Sequence, residues 1–232
     1  MGINRIQRIT GAAAFIGAGC TLIELPLYFV YPGAPPDANV LTRCLLGLVA
    51  ATLFVVFMSG FAHLVRRRDP AREWFGSLAA AAGTAWLTVV FVSTGLEVGA
   101  VIAAPEPIDP TITVTGTYIL YGTVARLLEG LFLVAFATAA ARLLPRWCIV
   151  ISWALAAVNF AFVPSLFFGN VPAEFYAANG WGTTATVGGL TLLWLFAIGS
   201  ALFLSSRDAA DRPAVSVRVG GGLHPAGIDR GE

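Results

Sequence analysis

The chain has 232 residues, of which 57% are hydrophobic and only 12% charged, and its mean hydropathy is +0.79. Such a composition excludes an ordinary soluble fold, which carries about twice that share of charged residues. The formal net charge of +1 excludes the strong positive field that nucleic-acid binding needs.

The residues predict an all-α integral membrane bundle of six transmembrane helices with both termini cytoplasmic. In chain order, residues 1–8 are a short cytoplasmic N-terminus, 9–205 the membrane domain and 206–232 a disordered cytoplasmic tail. The apolar segments run over 9–31, 40–65, 75–104, 115–141, 147–168 and 183–205. Each is near the roughly 20 residues that a spanning helix needs. Between them lie "PGAPPDAN" (32–39), "RRRDPAREW" (66–74), "PEPIDPTI" (105–112), "LPRW" (144–147) and "GNVPAEFYAANGW" (169–181), each read as a polar turn. Lipid cannot satisfy free backbone groups, so helices are expected. The short alternating strands of a barrel are absent.

The first segment follows Arg5 and Arg8 and contains "GAGC" (17–20), a faint likeness to a lipoprotein cleavage site. Gly17 stands where a large aliphatic residue is expected, and the apolar run continues past Cys20. A retained helix is the expectation. The tail is polar and Gly-rich.

Orientation follows from arginine, since the chain has no lysine. Arg5, Arg8, Arg66, Arg67, Arg68, Arg72, Arg142, Arg146, Arg207 and Arg212 fall on one side of a six-span layout. The opposite loops hold Asp37, Glu106, Asp109 and Glu174 and no Arg. The positive-inside rule puts the arginine side in the cytoplasm of an inner or plasma membrane. All five tyrosines fall near the other ends of the spans, as an interfacial aromatic belt would place them.

Lack of lysine also excludes a retinal Schiff base and pyridoxal chemistry. His63 and His224 are the only histidines, which argues against a bis-histidine haem or a His-rich di-iron site. Cys20, Cys44 and Cys148 form no C-x-x-C and read as small buried hydrophobes. No cofactor or metal is expected.

Five charges fall within the spans: Glu24, Arg43, Glu97, Arg126 and Glu129. Each costs roughly 2.5–3.5 kcal/mol at a helix centre. In "TVARLLEGLFLVAF" (123–136), Arg126 and Glu129 stand at i,i+3 and share a helix face, so they can pair. Arg43 reads as a side chain that snorkels to the outer interface. Three acids against two bases leave one carboxylate without a full partner, and Glu97 is the acid least expected to be paired. Asn159, Trp86 and Trp153 are weaker members of the same candidate site. Pro26 and Pro164 are expected to kink the first and fifth spans beside it. Small residues in "TGAAAFIGAG" (10–19) and "GSLAAAAGTA" (76–85) predict tight packing in the opposite half. "LIELPLYF" (22–29) and "LLEGLFLV" (127–134) align Glu24 with Glu129, a possible inverted repeat of the transporter kind.

"RLLEG" (126–130) and the layout resemble uncharacterised bacterial multi-pass membrane proteins carrying domains of unknown function, in which an Arg-x-x-Glu occurs in mid-span. The resemblance implies a membrane bundle and no activity.

Three functions remain open at this point. One is binding or transport of a small polar, lipophilic or amphipathic ligand at an outer-half Glu/Arg cluster, with proton coupling. Another is an intramembrane cyclase or isomerase that uses a buried Glu, such as Glu97 or Glu129, as acid on a lipophilic substrate while Trp faces stabilise a cation. The last is an accessory subunit, in which the charges only lock helices together. The bilayer is the one certain partner, and the oligomeric state is not legible.

Overall fold

A computed structural model describes residues 2–211, and the described residues are helical with no strand. Six helices are long and apolar enough to cross a membrane: Ile3–Phe29, Asp37–Arg68, Pro70–Ala103, Thr115–Ala140, Arg146–Phe168 and Gly182–Ser206. They are the first to sixth spans below, and together they make a multi-pass membrane bundle. The last helix continues to Asp211, so residues 207–211 extend the sixth span where a tail was expected. Residues 212–232 of that tail lie outside the described residues.

The spans close into a ring. The first packs between the sixth and the second, the second against the third, the third against the fourth, and the fourth against the fifth, with a thinner seam between fifth and sixth. Small residues set the tightest crossing. A Cβ on Gly11 would fall 2.6 Å from the Phe203 backbone nitrogen, and one on Gly199 would fall 2.4 Å from that of Phe15. The first and sixth backbones therefore touch directly, as small residues at membrane helix crossings allow.

The arginine-rich ends gather at one end of the ring. Gln7 donates to the Leu202 carbonyl at 3.1 Å and to Ser205 Oγ at 2.7 Å. Arg68 donates to Gln7 Oε1. Arg72 Nη1 donates to the Thr138 carbonyl at 2.8 Å. The expected "RRRDPAREW" connection is almost absent. One helix ends at Arg68 and the next element begins at Pro70, because Pro70 has no N–H to continue the ladder.

Above this end sits an aromatic core. Phe61 and Phe136 stack at 4.4 Å, Trp194 meets Phe136 edge-on at 4.9 Å, and Trp194 Nε1 donates to Ser152 Oγ at 3.1 Å. The opposite half is less regular. Pro26 and Pro164 stand at the starts of 3₁₀ turns, Leu25–Phe29 and Val163–Phe168, that end the first and fifth spans, the usual response to a missing donor near a terminus.

Candidate functional site

The irregular half encloses a cavity of about 330 Å³, bounded by every span except the fifth and by the connection between fifth and sixth. That volume lies in the lower range of small-molecule sites. Its walls include Glu24, Arg126 and Glu129 and the rings of Tyr28, Phe54, Trp86, Tyr118, Tyr121 and Trp181.

The fourth span builds one wall. Arg126 and Glu129 lie one helical turn apart and are 3% and 1% exposed. Arg126 Nη2 donates to Glu129 Oε1 at 2.8 Å, and Thr191 Oγ1 of the sixth span donates to Glu129 Oε2 at 3.0 Å. Both carboxylate oxygens of Glu129 are thus engaged. The guanidinium is not: Arg126 Nε and Nη1 are buried with no partner among the described residues.

The first span builds the facing wall. Its α-helical part ends at Glu24, and the 3₁₀ turn that follows carries Tyr28 back over it. Tyr28 Oη donates to Glu24 Oε1 at 3.1 Å. The carboxylate lies over Gly47 of the second span, where a Cβ would approach its oxygens to 3.1 and 3.2 Å. Among the described residues no Arg comes within ion-pair distance of Glu24.

Arg43 and Glu97 stand behind this wall and do not line the cavity. Arg43 is not a snorkelling side chain. It is 1% exposed and donates to Glu97 Oε1 at 2.6 Å, tying the second span to the third. Glu97 is therefore paired, and Glu24 is the acid without a cation. The error has a simple origin: acids and bases on separate helices pair by rotational register, which single-helix depth does not reveal. The Arg43 guanidinium also lies 4.1 Å from the Tyr28 ring centroid, a cation–π contact that holds Tyr28 toward Glu24.

Of the weaker candidates, only Trp86 reaches the site. It is 6% exposed, lines the cavity, and stacks on Phe54 at 6.3 Å. Trp153 is 47% exposed on the outside of the bundle, where it meets lipid instead of ligand. Asn159 is buried but its Nδ2 donates to the Leu155 carbonyl of its own helix at 2.9 Å, and it is not a cavity wall.

Tyr28, Tyr118 and Tyr121 are site residues that the sequence reading assigned to an interfacial belt. Tyr118 is 7% exposed, and its hydroxyl has no partner. Tyr121 Oη bonds with Thr94 Oγ1 at 2.5 Å. Span-end position suits both roles. Tyr118 and Tyr121 stand three residues apart on the segment that leads into Arg126, a spacing that puts both on one helix face.

The connection 169–181 is the larger omission. Its last part, residues 177–180, is buried in the bundle while most of residues 169–175 is exposed, and Pro172, Asn179 and Trp181 form part of the cavity wall. The Ala178 carbonyl inserts into the fourth span and accepts from Thr123 N at 3.2 Å and Thr123 Oγ1 at 3.2 Å. Room for it comes from Gly122, which leaves the helical region (ψ −114°) and where a Cβ would lie 2.1 Å from that carbonyl. The fourth span is kinked there, two helical stretches meeting across Gly122, and the sixth begins with a π-helical turn over Gly182–Thr186. Such a turn is rare and recurs at functional sites. Asn179, 2% exposed, is left with both side-chain polar atoms unpartnered at the cavity.

No family model, curated protein or solved structure matches the chain. The likeness of "RLLEG" to other membrane proteins therefore adds no assignment, and the chemistry of the cavity carries the functional reading.

Proposed function

We propose that this is an inner-membrane protein, with both termini in the cytoplasm, that binds a small amphipathic ligand in the cavity between Glu24 and Arg126 for recognition or transport. One observation carries the reading: Arg126 keeps two buried donors unpartnered beside a cavity, although Glu129 already balances its charge. The Arg43–Glu97 tie also leaves Arg43 Nε and Glu97 Oε2 unpartnered, but neither residue lines the cavity, whereas Arg126 does. Buried donors left unmade cost about 1–3 kcal/mol each, which a bound acceptor would recover. The arginines gathered at the other end support the orientation.

The intramembrane-enzyme reading loses its two named acids. Glu97 lies outside the cavity in an ion pair, and Glu129 has both oxygens occupied. Arg43 and Glu97 suit a structural tie between helices better than a ligand site.

The test is tryptophan fluorescence of purified protein in detergent, titrated with butylammonium, butanoate and short-chain phosphatidylcholine below its micelle threshold. At least one probe should give a saturable change in wild type. Gly188→Leu, which projects from the sixth span toward Arg126 (3.7 Å from a Cβ there), should abolish it while remaining folded. Lack of saturation by every probe, or equal binding in the filled variant, removes the proposal.

A further inference from the structure

We infer that the ligand of this cavity is an organic monocation that carries a hydrogen-bond acceptor oxygen, with its cationic group seated on Glu24 and its oxygen on Arg126 and Asn179. The inference rests on the ligand-binding reading above and narrows it to a class.

Charge bookkeeping comes first. The cavity wall holds one Arg and two Glu, so its formal charge is one negative. Glu129 cancels Arg126 at 2.8 Å. The remaining charge belongs to Glu24, whose one side-chain partner in the protein is the neutral Tyr28 hydroxyl. Glu24 is half-buried on the wall with no cation at ion-pair distance among the described residues, so a bound cation makes a charge-assisted contact that the protein itself does not supply. A zwitterion would leave the cavity with the same net charge as before.

Aromatic faces support the same choice. Tyr28, Phe54, Trp86, Tyr118, Tyr121 and Trp181 ring the space. Aromatic walls beside a carboxylate are how proteins hold ammonium groups. The opposite pole has a different character. Arg126 Nε and Nη1 are donors whose positive charge is already met. Tyr118 Oη and Asn179, both nine-tenths buried or more, add unpartnered polar atoms. These groups call for an acceptor oxygen and not for a second carboxylate.

Size decides against a large occupant. A cavity of about 330 Å³ admits a compact headgroup or a short-chain amine and excludes a complete two-chain lipid, whose tails would have to lie outside it.

Three probes of matched shape separate the terms: acetylcholine, its uncharged carbon isostere 3,3-dimethylbutyl acetate, and the zwitterion acetylcarnitine. Affinities are read by tryptophan fluorescence and by calorimetry on the full chain in nanodiscs. Acetylcholine should bind wild type about tenfold or more tighter than either of the others. Glu24→Gln, which keeps shape and removes charge, should bring acetylcholine down to the level of the neutral ester, and Glu24→Asp should restore part of the gap. Arg126→Gln should weaken the neutral ester, which loses its oxygen contact, and weaken acetylcholine less, because the uncovered Glu129 adds a negative charge to the wall. Equal binding of ester and cation in wild type, or tighter binding of acetylcarnitine, overturns the monocation inference and leaves the cavity reading standing. No saturable binding by any of the three, together with failure of the broader fluorescence screen, overturns both.

Discussion

Arg126 and Glu129 meet at 2.8 Å on one face of the fourth span, yet the pair is asymmetric. Glu129 has both oxygens engaged, through Arg126 and Thr191, while Arg126 leaves Nε and Nη1 unpartnered. Removing the cation should therefore be the more damaging single change to the fold, because it strands a buried acid. Arg126→Leu should destabilise the protein in detergent by about 3 kcal/mol, measured by thermal or denaturant unfolding. Arg126→Leu with Glu129→Leu should recover most of that loss and still fail to bind. A double variant as unstable as the single one would mean the pair holds the bundle together for reasons beyond charge.

Glu97→Gln should also cost stability, by about 1–3 kcal/mol, since it keeps an acceptor for Arg43 but removes the charge that balances the buried guanidinium. Glu24→Gln should be close to neutral in the same unfolding assay. The order of these two effects separates a paired acid from an unpaired one, and the reverse order would contradict the placement of Arg43 on Glu97.

Gly122→Val should expel the Ala178 carbonyl from the fourth span. The 169–181 connection would then lose its anchor, and a cysteine placed at Asn179 should change from protected to readily labelled by a water-soluble maleimide. Binding should fall with it, because Pro172, Asn179 and Trp181 leave the wall. Continued protection at Asn179→Cys in that background would show that the connection is held by other contacts.

Topology is open to direct measurement in a background with Cys20, Cys44 and Cys148 changed to Ala. Ala34→Cys and Glu106→Cys, both at exposed positions, should react with an impermeant reagent from outside intact cells, and Pro70→Cys only after permeabilisation. The opposite pattern would invert the protein and put the cavity toward the cytoplasm.

Trp153→Phe should leave binding unchanged, since Trp153 faces away from the cavity, whereas Trp86→Leu should weaken it several-fold by removing a ring that stacks on Phe54. Calorimetry with the probes above reads both.

The bundle was legible because its signals are local. Apolar run length located every span to within several residues, and the i,i+3 spacing of Arg126 and Glu129 announced their contact. What escaped depends on the third dimension. Arg43 and Glu97 find each other across two helices, and no property of either segment states their relative rotation. Tyr118 and Tyr121 sit where both an interfacial belt and a cavity wall would have them. Residues 169–181 have the Gly, Pro and Asn content of a surface turn. Residues 177–180 enter the bundle because helix distortions elsewhere supply partners for their backbone, an arrangement visible only once Gly122 and Ala178 are side by side.

At Gly122 (φ −83°, ψ −114°) the fourth span is two helical stretches meeting across a kink. Tyr118 and Tyr121 stand on one side of that joint, and Arg126 and Glu129 stand on the other. Each residue of an α-helix advances the chain by about 100°, so an insertion or deletion beside the joint would turn one set about a quarter-turn relative to the other. The aromatic and charged halves of the cavity are thus aligned like the two parts of a key by the backbone of one glycine, and a length change there would do more to alter the wall than most substitutions on it.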